Sequence, residues 1–151
     1  MKLSTKAIVN RRAKFEYNFL AKFEAGVQLT GAEVKSIRAG EANLNDAYCM
    51  FKNGELYIIK MYVAEYKMAP AGMETRRERK LLLKKIELKK IHKKAKEKGF
   101  AVVPYQIYTN DRGLIKIEIA LAQGKKAYDK RKSIKDRDEK RDLDRAKRDR
   151  Y

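Results

Sequence analysis

The chain has 151 residues, which suits one domain of ordinary size with an appendage and leaves little room for two complete cores. Its 38 basic and 20 acidic side chains give a formal net charge of +18, which indicates a polyanionic partner. One cysteine and one histidine exclude a disulfide framework and a Cys/His zinc site within the chain, and no apolar run is long enough to span a membrane, so a soluble, cytosolic protein is expected.

The positive charge is concentrated in three segments. Residues 1–14 carry five basic side chains and no acidic one, residues 76–98 carry twelve and three, and residues 125–151 carry thirteen and seven. The rest of the chain is almost neutral. A surface that is merely solvated usually mixes the two signs, so this pattern favours a scaffold with a basic binding surface.

The first predicted strand covers residues 15–29, where aromatic side chains alternate at period two before Gly26 interrupts the run. The glycine predicts a bend or a bulge within this strand, or a division into two strands. A short helix is predicted over residues 30–39, because Thr30 and Glu33 have the spacing of a capping box and a glycine follows the last helical residue.

The next predicted element is a β-hairpin. An Asn-Gly pair at positions 53–54 lies between two strand-like runs, residues 43–52 and 55–64, and Asn-Gly is the strongest short-range hairpin signal. Residues 68–73 then form a loop rich in methionine, proline and glycine.

Residues 76–98 are a run of strong helix formers closed by a glycine, and they predict one long helix. On a helical wheel, one apolar stripe spans an arc of about 80° and comprises Leu81, Leu88, Ile91 and Ala95. Leu82 lies off this stripe, so it reaches a second part of the core or is exposed for a partner. His92 is expected at the edge of the stripe. A second hairpin is predicted from residues 100–109 and 113–122.

These elements predict a mainly β fold with about six strands and two to three helices. A small closed β-barrel of the oligonucleotide-binding (OB) type is expected over residues 1–122, because closure removes the edge strands. Residues 123–151 are expected to be a basic tail that is disordered alone. Burying its four bulky apolar side chains would contribute roughly 6–12 kcal/mol, whereas ordering its backbone costs on the order of 27–50 kcal/mol. A partner that supplies the difference would make the tail helical.

Basic side chains are the strongest candidates for contacts with nucleic-acid phosphates. They follow Asn10 at Arg11 and Arg12, lie one turn apart on the short helix at Lys35 and Arg38, and cluster at the start of the long helix at Arg76, Arg77, Arg79 and Lys80. The last cluster places positive charge at the N-terminus of the predicted helix, where the helix dipole disfavours it. This favours a role for these side chains in binding a partner. Tyrosines at positions 17, 48, 57 and 62 could stack on bases, although packing in the core is the preferred interpretation.

No enzymatic chemistry is predicted. Glu24, Glu33 and Asp46 lack the spacing of a magnesium site, and Glu33 is explained by helix capping. No metal or other cofactor is expected.

The chain resembles the family of SsrA-binding proteins (small protein B, SmpB) in several ordered motifs between residues 10 and 134. The matching segments are Glu24-Ala25-Gly26, Leu29-Thr30-Gly31, residues 33–40, Asn43-Leu44 with Asp46 and Tyr48, residues 79–83, Gly124-Lys125-Lys126 and Asp129-Lys130-Arg131. The resemblance implies a bacterial RNA-binding protein with an OB-type barrel. It also implies a role in trans-translation, in which transfer-messenger RNA (tmRNA) rescues stalled ribosomes and tags the incomplete protein for degradation.

The resemblance implies roles for individual positions as well. Asn10, Glu24 and Leu82 correspond to the family's cluster for the tRNA-like domain of tmRNA, to which the basic groups above and Asn43 are added as candidates. Gly124 and Asp129-Lys130-Arg131 correspond to its tail motif for tag translation, and Lys125, Lys126 and Tyr128 are added as candidates for contacts with the ribosome and its decoding centre. Gln123 and Tyr128 depart from the family pattern, in which a basic residue and a histidine are common.

The implied partners are tmRNA, elongation factor Tu in the delivery complex, and the decoding centre and mRNA channel of the ribosome. No membrane partner is expected, and the protein is expected to act as a monomer. The competing interpretation is a structural ribosomal protein, which is also basic and often tailed. An enzyme acting on RNA is the weakest alternative.

Overall fold

The computed structural model describes residues 7–67, 72, 74–97, 99–125, 137–138 and 140–141. The described residues up to 125 form nine strands and three helices. In chain order they are β1 (Ile8–Val9), α1 (Arg11–Glu16), β2 (Tyr17–Val27), α2 (Gly31–Arg38), β3 (Ala42–Asn43), β4 (Tyr48–Lys52), β5 (Glu55–Ile59), β6 (Tyr62–Val63), β7 (Arg79–Leu82), α3 (Lys85–Ala95), β8 (Phe100–Thr109) and β9 (Ile115–Gly124).

Seven strands form one antiparallel sheet in the order β1-β8-β9-β2-β7-β5-β4, and β3 pairs separately with β6. The predicted mainly β fold with helices is therefore confirmed. The predicted closed barrel is not: in the described part of the chain, no hydrogen-bonded ladder joins the two outermost strands of the sheet. The sheet nevertheless curves back on itself, since β4 contacts β8.

The core lies on the inner face of this curved sheet. Alternation along β9 buries Ile117 and Ile119 completely, while Leu81 of β7 and Ile58 of β5 meet them from the other strands. Ile91 of α3 covers the same cluster. The second predicted hairpin, formed by β8 and β9, is thus the centre of the fold.

Locally encoded features match their predictions. Thr30 and Glu33 form the capping box of α2, with the Thr30 hydroxyl accepting from the Glu33 N–H at 3.2 Å and the Glu33 carboxylate accepting from the Thr30 N–H at 2.9 Å. Asn53 and Gly54 both have positive φ, at 53° and 79°, as a tight hairpin turn between β4 and β5 requires.

The predicted long helix over residues 76–98 is wrong. Residues 79–82 form strand β7, which pairs with β2 on one side and β5 on the other, and the helix α3 begins only at Lys85. The high helix propensity of lysine and leucine is overridden, because β7 supplies backbone partners to two strands. Strand alternation buries Arg79 and Leu81, and it directs Leu82 outward.

The irregularity in β2 also differs from its prediction. Helix α1 takes residues 11–16, so the strand begins at Tyr17. The register slips between Phe19 and Ala21, which makes Leu20 the extra residue of a β-bulge. Gly26 has regular pairing, with Lys116 of β9 and Leu82 of β7.

Most of the predicted tail lies outside the described residues, as does most of the loop at 68–73. Of the seven described residues in the predicted tail, Gln123 and Gly124 end β9 and Lys125 follows it, whereas Arg137, Asp138, Lys140 and Arg141 are helical. The prediction that residues 123–151 are disordered alone stays a prediction.

Candidate nucleic-acid interface

Two adjacent grooves meet at Leu82 on the outer face of the sheet. One, of about 530 Å³, is lined by Glu24, Gly26, Leu82, Leu83, Lys84, Glu87 and Lys116. The other, of about 300 Å³, is lined by Gly26, Val27, Leu29, Val34, Arg38, Leu82, Gly113, Leu114, Ile115 and Lys116. Together these residues are called the Leu82 groove. It joins β2, β7, β9, the second half of α2 and the start of α3, which lie far apart in sequence.

The position of Leu82 depends on the glycine opposite it. A Cβ atom at Gly26 would lie 3.3 Å from the Leu82 Cβ, closer than ordinary van der Waals contact. Leu82 therefore packs on bare backbone, and 47% of its surface remains exposed. An exposed leucine between basic side chains offers apolar contact to a base or a ribose.

Glu24 lies on the same outer face, two residues before Gly26 on β2. Its carboxylate accepts a hydrogen bond from the Tyr108 hydroxyl of β8, and it faces Glu118 of β9 across the sheet. Burial, followed by the hydrogen bond to Glu24 and the charges of Glu24 and Glu118, raises the pKa of Tyr108, so this hydroxyl stays protonated and donates a hydrogen bond to Glu24. Glu118 lies 3.6 Å from the Lys22 ammonium, whereas Glu24 has no ion pair among the described residues. Glu24 is therefore a hydrogen-bond acceptor held in place by Tyr108.

Three cationic side chains line the Leu82 groove. Lys84 and Lys116 line the groove that contains Glu24, and Arg38 lines the adjoining one, where its guanidinium donates to the Gly113 carbonyl at 2.9 Å. Such an arrangement attracts phosphates, and it places the Glu24 and Glu87 carboxylates among the cations as hydrogen-bond acceptors.

Arg79 does not lie on this surface. Its side chain is completely buried, and its Nε lies 2.5 Å from Oε2 of Glu33, which is itself buried on α2. Arg79 also donates to the Met61 carbonyl at 2.8 Å, and Arg77 donates to the second Glu33 oxygen at 2.6 Å. The predicted contact of Arg79 with phosphate is therefore wrong. That prediction assumed that Arg79 lies on a helix, whereas it lies in strand β7 and its side chain points into the protein, out of reach of a ligand.

Glu33 is ionised in this cluster. Burial alone would raise the pKa of its carboxyl, but the hydrogen bonds from Arg77, the Thr30 backbone and Arg79, together with the Arg79 charge, outweigh burial and hold the pKa below its ordinary value. The cluster joins α2 to β7 and so fixes the strand that presents Leu82.

Asn10 lies in a different place from Glu24 and Leu82. It is buried at the start of α1, where its amide donates to the Leu44 and Pro104 carbonyls at 3.1 and 3.0 Å, and its oxygen accepts from the Ala13 N–H. It lines a separate pocket of about 230 Å³ with residues that include Arg12 and Tyr48. The structure thus brings Glu24 and Leu82 of the predicted cluster together. Asn10 instead stabilises the start of α1 through its hydrogen bonds.

The remaining predicted contact residues are spread over the surface. Arg11, Arg12, Lys35 and Arg38 are exposed, while Asn43 and Lys80 are half-buried. Arg12 is 3.1 Å from Glu16, Lys80 is 3.8 Å from Glu55, and the Lys35 ammonium lies over the Tyr66 ring. Of the tyrosines assigned to the core, Tyr48 is exposed.

The tail leaves the domain beside α1. Gly124 ends β9, and the Lys125 N–H donates to the Glu16 carbonyl at 2.9 Å. Lys126, Tyr128, Asp129, Lys130 and Arg131 lie outside the described residues.

The sequence analysis did not identify Lys84 and Lys116 in the Leu82 groove, nor Tyr108, which holds Glu24 beside it. The alternation in β9 places Lys116 on the outer face and could have identified it. Tyr108 could not have been found in this way, because its contact with Glu24 depends on the order of β8, β9 and β2 in the sheet.

Within the described ranges, no cluster of three or more potential metal ligands occurs, and no helix has the length and apolar character needed to cross a membrane.

Comparison with known proteins gives a consistent result. A family model described as SmpB protein matches residues 7–149. The SsrA-binding protein of Christiangramia forsetii is 48% identical over 143 residues, covering 94% of this chain and 91% of that protein. The SsrA-binding protein of Flavobacterium psychrophilum is 47% identical and covers 97% and 99%. A chain from the solved structure "tmRNA-SmpB: a journey to the center of the bacterial ribosome" has a TM-score of 0.68 and 45% identity, covering 80% of this chain and 85% of that one.

Proposed function

This chain belongs to the SmpB family, and from that membership we propose that it binds tmRNA and acts with it in trans-translation on the bacterial ribosome. The observation that carries the proposal is the Leu82 groove. There the fold brings Glu24 and Leu82, which are 58 positions apart in the sequence, onto one basic outer face. The role is one of binding, and the RNA and the ribosome supply the chemistry.

The groove can both attract and select an RNA. Lys84, Lys116 and Arg38 supply the sequence-independent attraction to phosphates. Leu82 offers apolar contact to an unstacked base or a ribose, and the fixed Glu24 carboxylate accepts from an amino group or a 2′-hydroxyl. An acceptor of this kind repels a misplaced phosphate, which gives selectivity to a surface that is otherwise basic.

The finer parts of the proposal follow the family. The curved sheet corresponds to an OB-type barrel that recognises the tRNA-like domain of tmRNA in the cytoplasm, and elongation factor Tu accompanies the complex to the ribosome. The segment from Gly124 to Arg131 acts at the decoding centre, and the tail beyond it enters the empty mRNA channel. The protein acts as a monomer.

Replacing Glu24 with glutamine is expected to reduce discrimination more than affinity. The amide keeps the size of the side chain but loses the charge that rejects misplaced phosphates. We expect the ratio of the Kd for bulk tRNA to the Kd for the tRNA-like domain to fall about tenfold, which corresponds to about 1.4 kcal/mol. Competition binding with both RNAs at fixed salt measures this ratio.

Tyr108→Phe is the matched variant, because it removes the hydroxyl that holds Glu24 and leaves the carboxylate in place. A smaller change in the same direction is expected for it. If Glu24→Gln weakens binding of both RNAs equally, or of neither, Glu24 has no part in selection.

A further inference from the structure

A second groove lies between α3 and the sheet and shares no lining residue with the Leu82 groove. This groove, called the Leu20 cleft, has a volume of about 700 Å³. Its floor consists of Leu20, Ala21, Phe23, Phe100 and Leu121, and its rim consists of Lys90, Lys93, Lys94 and Glu97. Within the described residues, the floor is apolar throughout and the rim is charged throughout.

The β-bulge in β2 places Leu20 in this cleft. Phe19 pairs with Ala122 and Ala21 pairs with Leu121, so Leu20 is the unpaired extra residue. A bulge changes the direction of one side chain relative to the regular alternation of its strand. Leu20 consequently shares a floor with its neighbour Ala21, and 54% of its surface is exposed. A leucine held out of the core in this way favours contact with another molecule.

The rim has uncompensated positive charge. Lys94 lies 3.6 Å from Glu97, whereas neither Lys90 nor Lys93 has an ion pair in the described part of the chain. The exposed lysines of α3 extend beyond the rim to Lys85 and Lys89. The preferred occupant therefore has apolar side chains for the floor and carboxylates or phosphates for the rim.

We propose that the Leu20 cleft docks an acidic amphipathic helix of a partner protein, with aliphatic side chains on the floor and carboxylates at Lys90 and Lys93. Leu20 and Leu121 provide aliphatic surface, and the half-buried rings of Phe23 and Phe100 complete the apolar floor. This surface is additional to tmRNA recognition.

The chain's own tail is a poor occupant on electrostatic grounds. Residues 125–151 carry thirteen basic and seven acidic side chains, so the lysine rim repels this segment. Nucleic acid also satisfies the lysine rim, but the floor has no hydrogen-bonding side chain comparable to Glu24 in the Leu82 groove, and five apolar side chains suit the apolar face of a helix better. Both alternatives are separate outcomes of the experiment below.

The test uses the full chain with labelled leucine and isoleucine methyl groups, followed by NMR. The probe is a synthetic helical peptide with leucine at i, i+3, i+4 and i+7 and glutamate at most other positions. We expect saturable shifts of the Leu20 and Leu121 methyl signals. A peptide with lysine in place of every glutamate should produce none.

Two variants and two controls identify the site. Leu20→Ser removes the floor contact and Lys93→Glu reverses the rim charge, and each should weaken peptide binding about tenfold or more. Ile86→Ser and Lys89→Glu change exposed side chains of the same helix that do not line the cleft, and they should have less than about a twofold effect. All four positions are exposed, so the melting temperatures should stay close to that of the parent chain.

Four results would overturn the proposal. The first is an absence of methyl shifts, and the second is equal weakening of peptide binding by Lys89→Glu and Lys93→Glu. The third is displacement of the peptide by oligo-uridine that shifts the same methyl signals, which would identify nucleic acid as the occupant. The fourth is peptide binding that appears only after the tail is deleted, which would identify the tail as the occupant. Binding of the tRNA-like RNA by the Leu20→Ser protein serves as an independent reference. Because Leu20 is outside the Leu82 groove, that binding should be retained, so failure here is distinguishable from failure of the proposed function.

Discussion

Replacing Arg79 with alanine is expected to lower the free energy of unfolding by about 3–5 kcal/mol. Arg79 and Glu33 are both buried, and the guanidinium also donates to the carbonyl of Met61. Removing the cation takes one of two arginine partners from the buried Glu33 carboxylate, and it leaves the Met61 carbonyl without this donor. Chemical denaturation of the parent and variant proteins measures the difference.

Lys52→Ala provides the matched control. Lys52 and Glu78 also form an ion pair, at 2.6 Å, but both side chains are well exposed. Solvent screens such a pair, so its loss should change the free energy of unfolding by about 1 kcal/mol or less. If Arg79→Ala is as mild as Lys52→Ala, the buried cluster does not hold α2 against β7.

The same cluster predicts a dependence of stability on pH. The pKa of Glu33 is lower in the folded state than in the unfolded chain, so the folded state releases this proton more readily. Its contribution is therefore fully present above the unfolded pKa of about 4.3 and is lost as the pH falls through the lower folded value. The Glu33→Gln variant should show a shallower loss of stability than the parent over this acidic range.

Deleting residues 132–151 is expected to abolish most tag synthesis while leaving RNA binding nearly unchanged. The Leu82 groove lies wholly before this segment, and the tail's composition favours folding only on a partner. On the proposed function, the tail enters the empty mRNA channel of a stalled ribosome, where the nine basic side chains of residues 132–151 would meet ribosomal RNA phosphates. A translating ribosome has the same channel filled by message.

A reconstituted rescue reaction on truncated message measures tag synthesis, and a parallel titration measures the Kd for the tRNA-like domain. The deletion should change this Kd by about twofold or less, through loss of nonspecific attraction. Normal tag synthesis by the shortened chain would contradict the proposed use of the tail. A large loss of RNA binding would show instead that the tail belongs to the RNA-binding surface.

The features that sequence predicts well here are those whose partners are close in the chain. The capping box of Thr30 and Glu33 spans one helical turn, and the Asn53-Gly54 turn joins adjacent strands, so both could be recognised from local pattern. Strand β7 could not, because its lysine and leucine residues are good helix formers and only the neighbouring strands β2 and β5 determine its conformation.

The same distinction holds for the candidate site. Arg79 looked like a surface cation because its partner, Glu33, is 46 positions away in the sequence and no local signal joins the two. Glu24 and Leu82 were identified through the family resemblance, and their proximity depends on the pairing of β2 with β7. The contact of Tyr108 with Glu24 depends on two further pairings, β2 with β9 and β9 with β8, so it was not predictable from the chain alone.

Sequencing of the RNA that co-purifies with the full-length protein from bacterial cells tests the central claim most directly. The proposed function predicts strong enrichment of one small structured RNA with a tRNA-like domain, and loss of that enrichment when Leu82 is replaced by aspartate in the basic groove. Recovery of ribosomal subunit RNA in stoichiometric amounts, whether or not ribosomes are stalled, and without enrichment of a tRNA-like RNA, would contradict it and would identify a structural ribosomal protein.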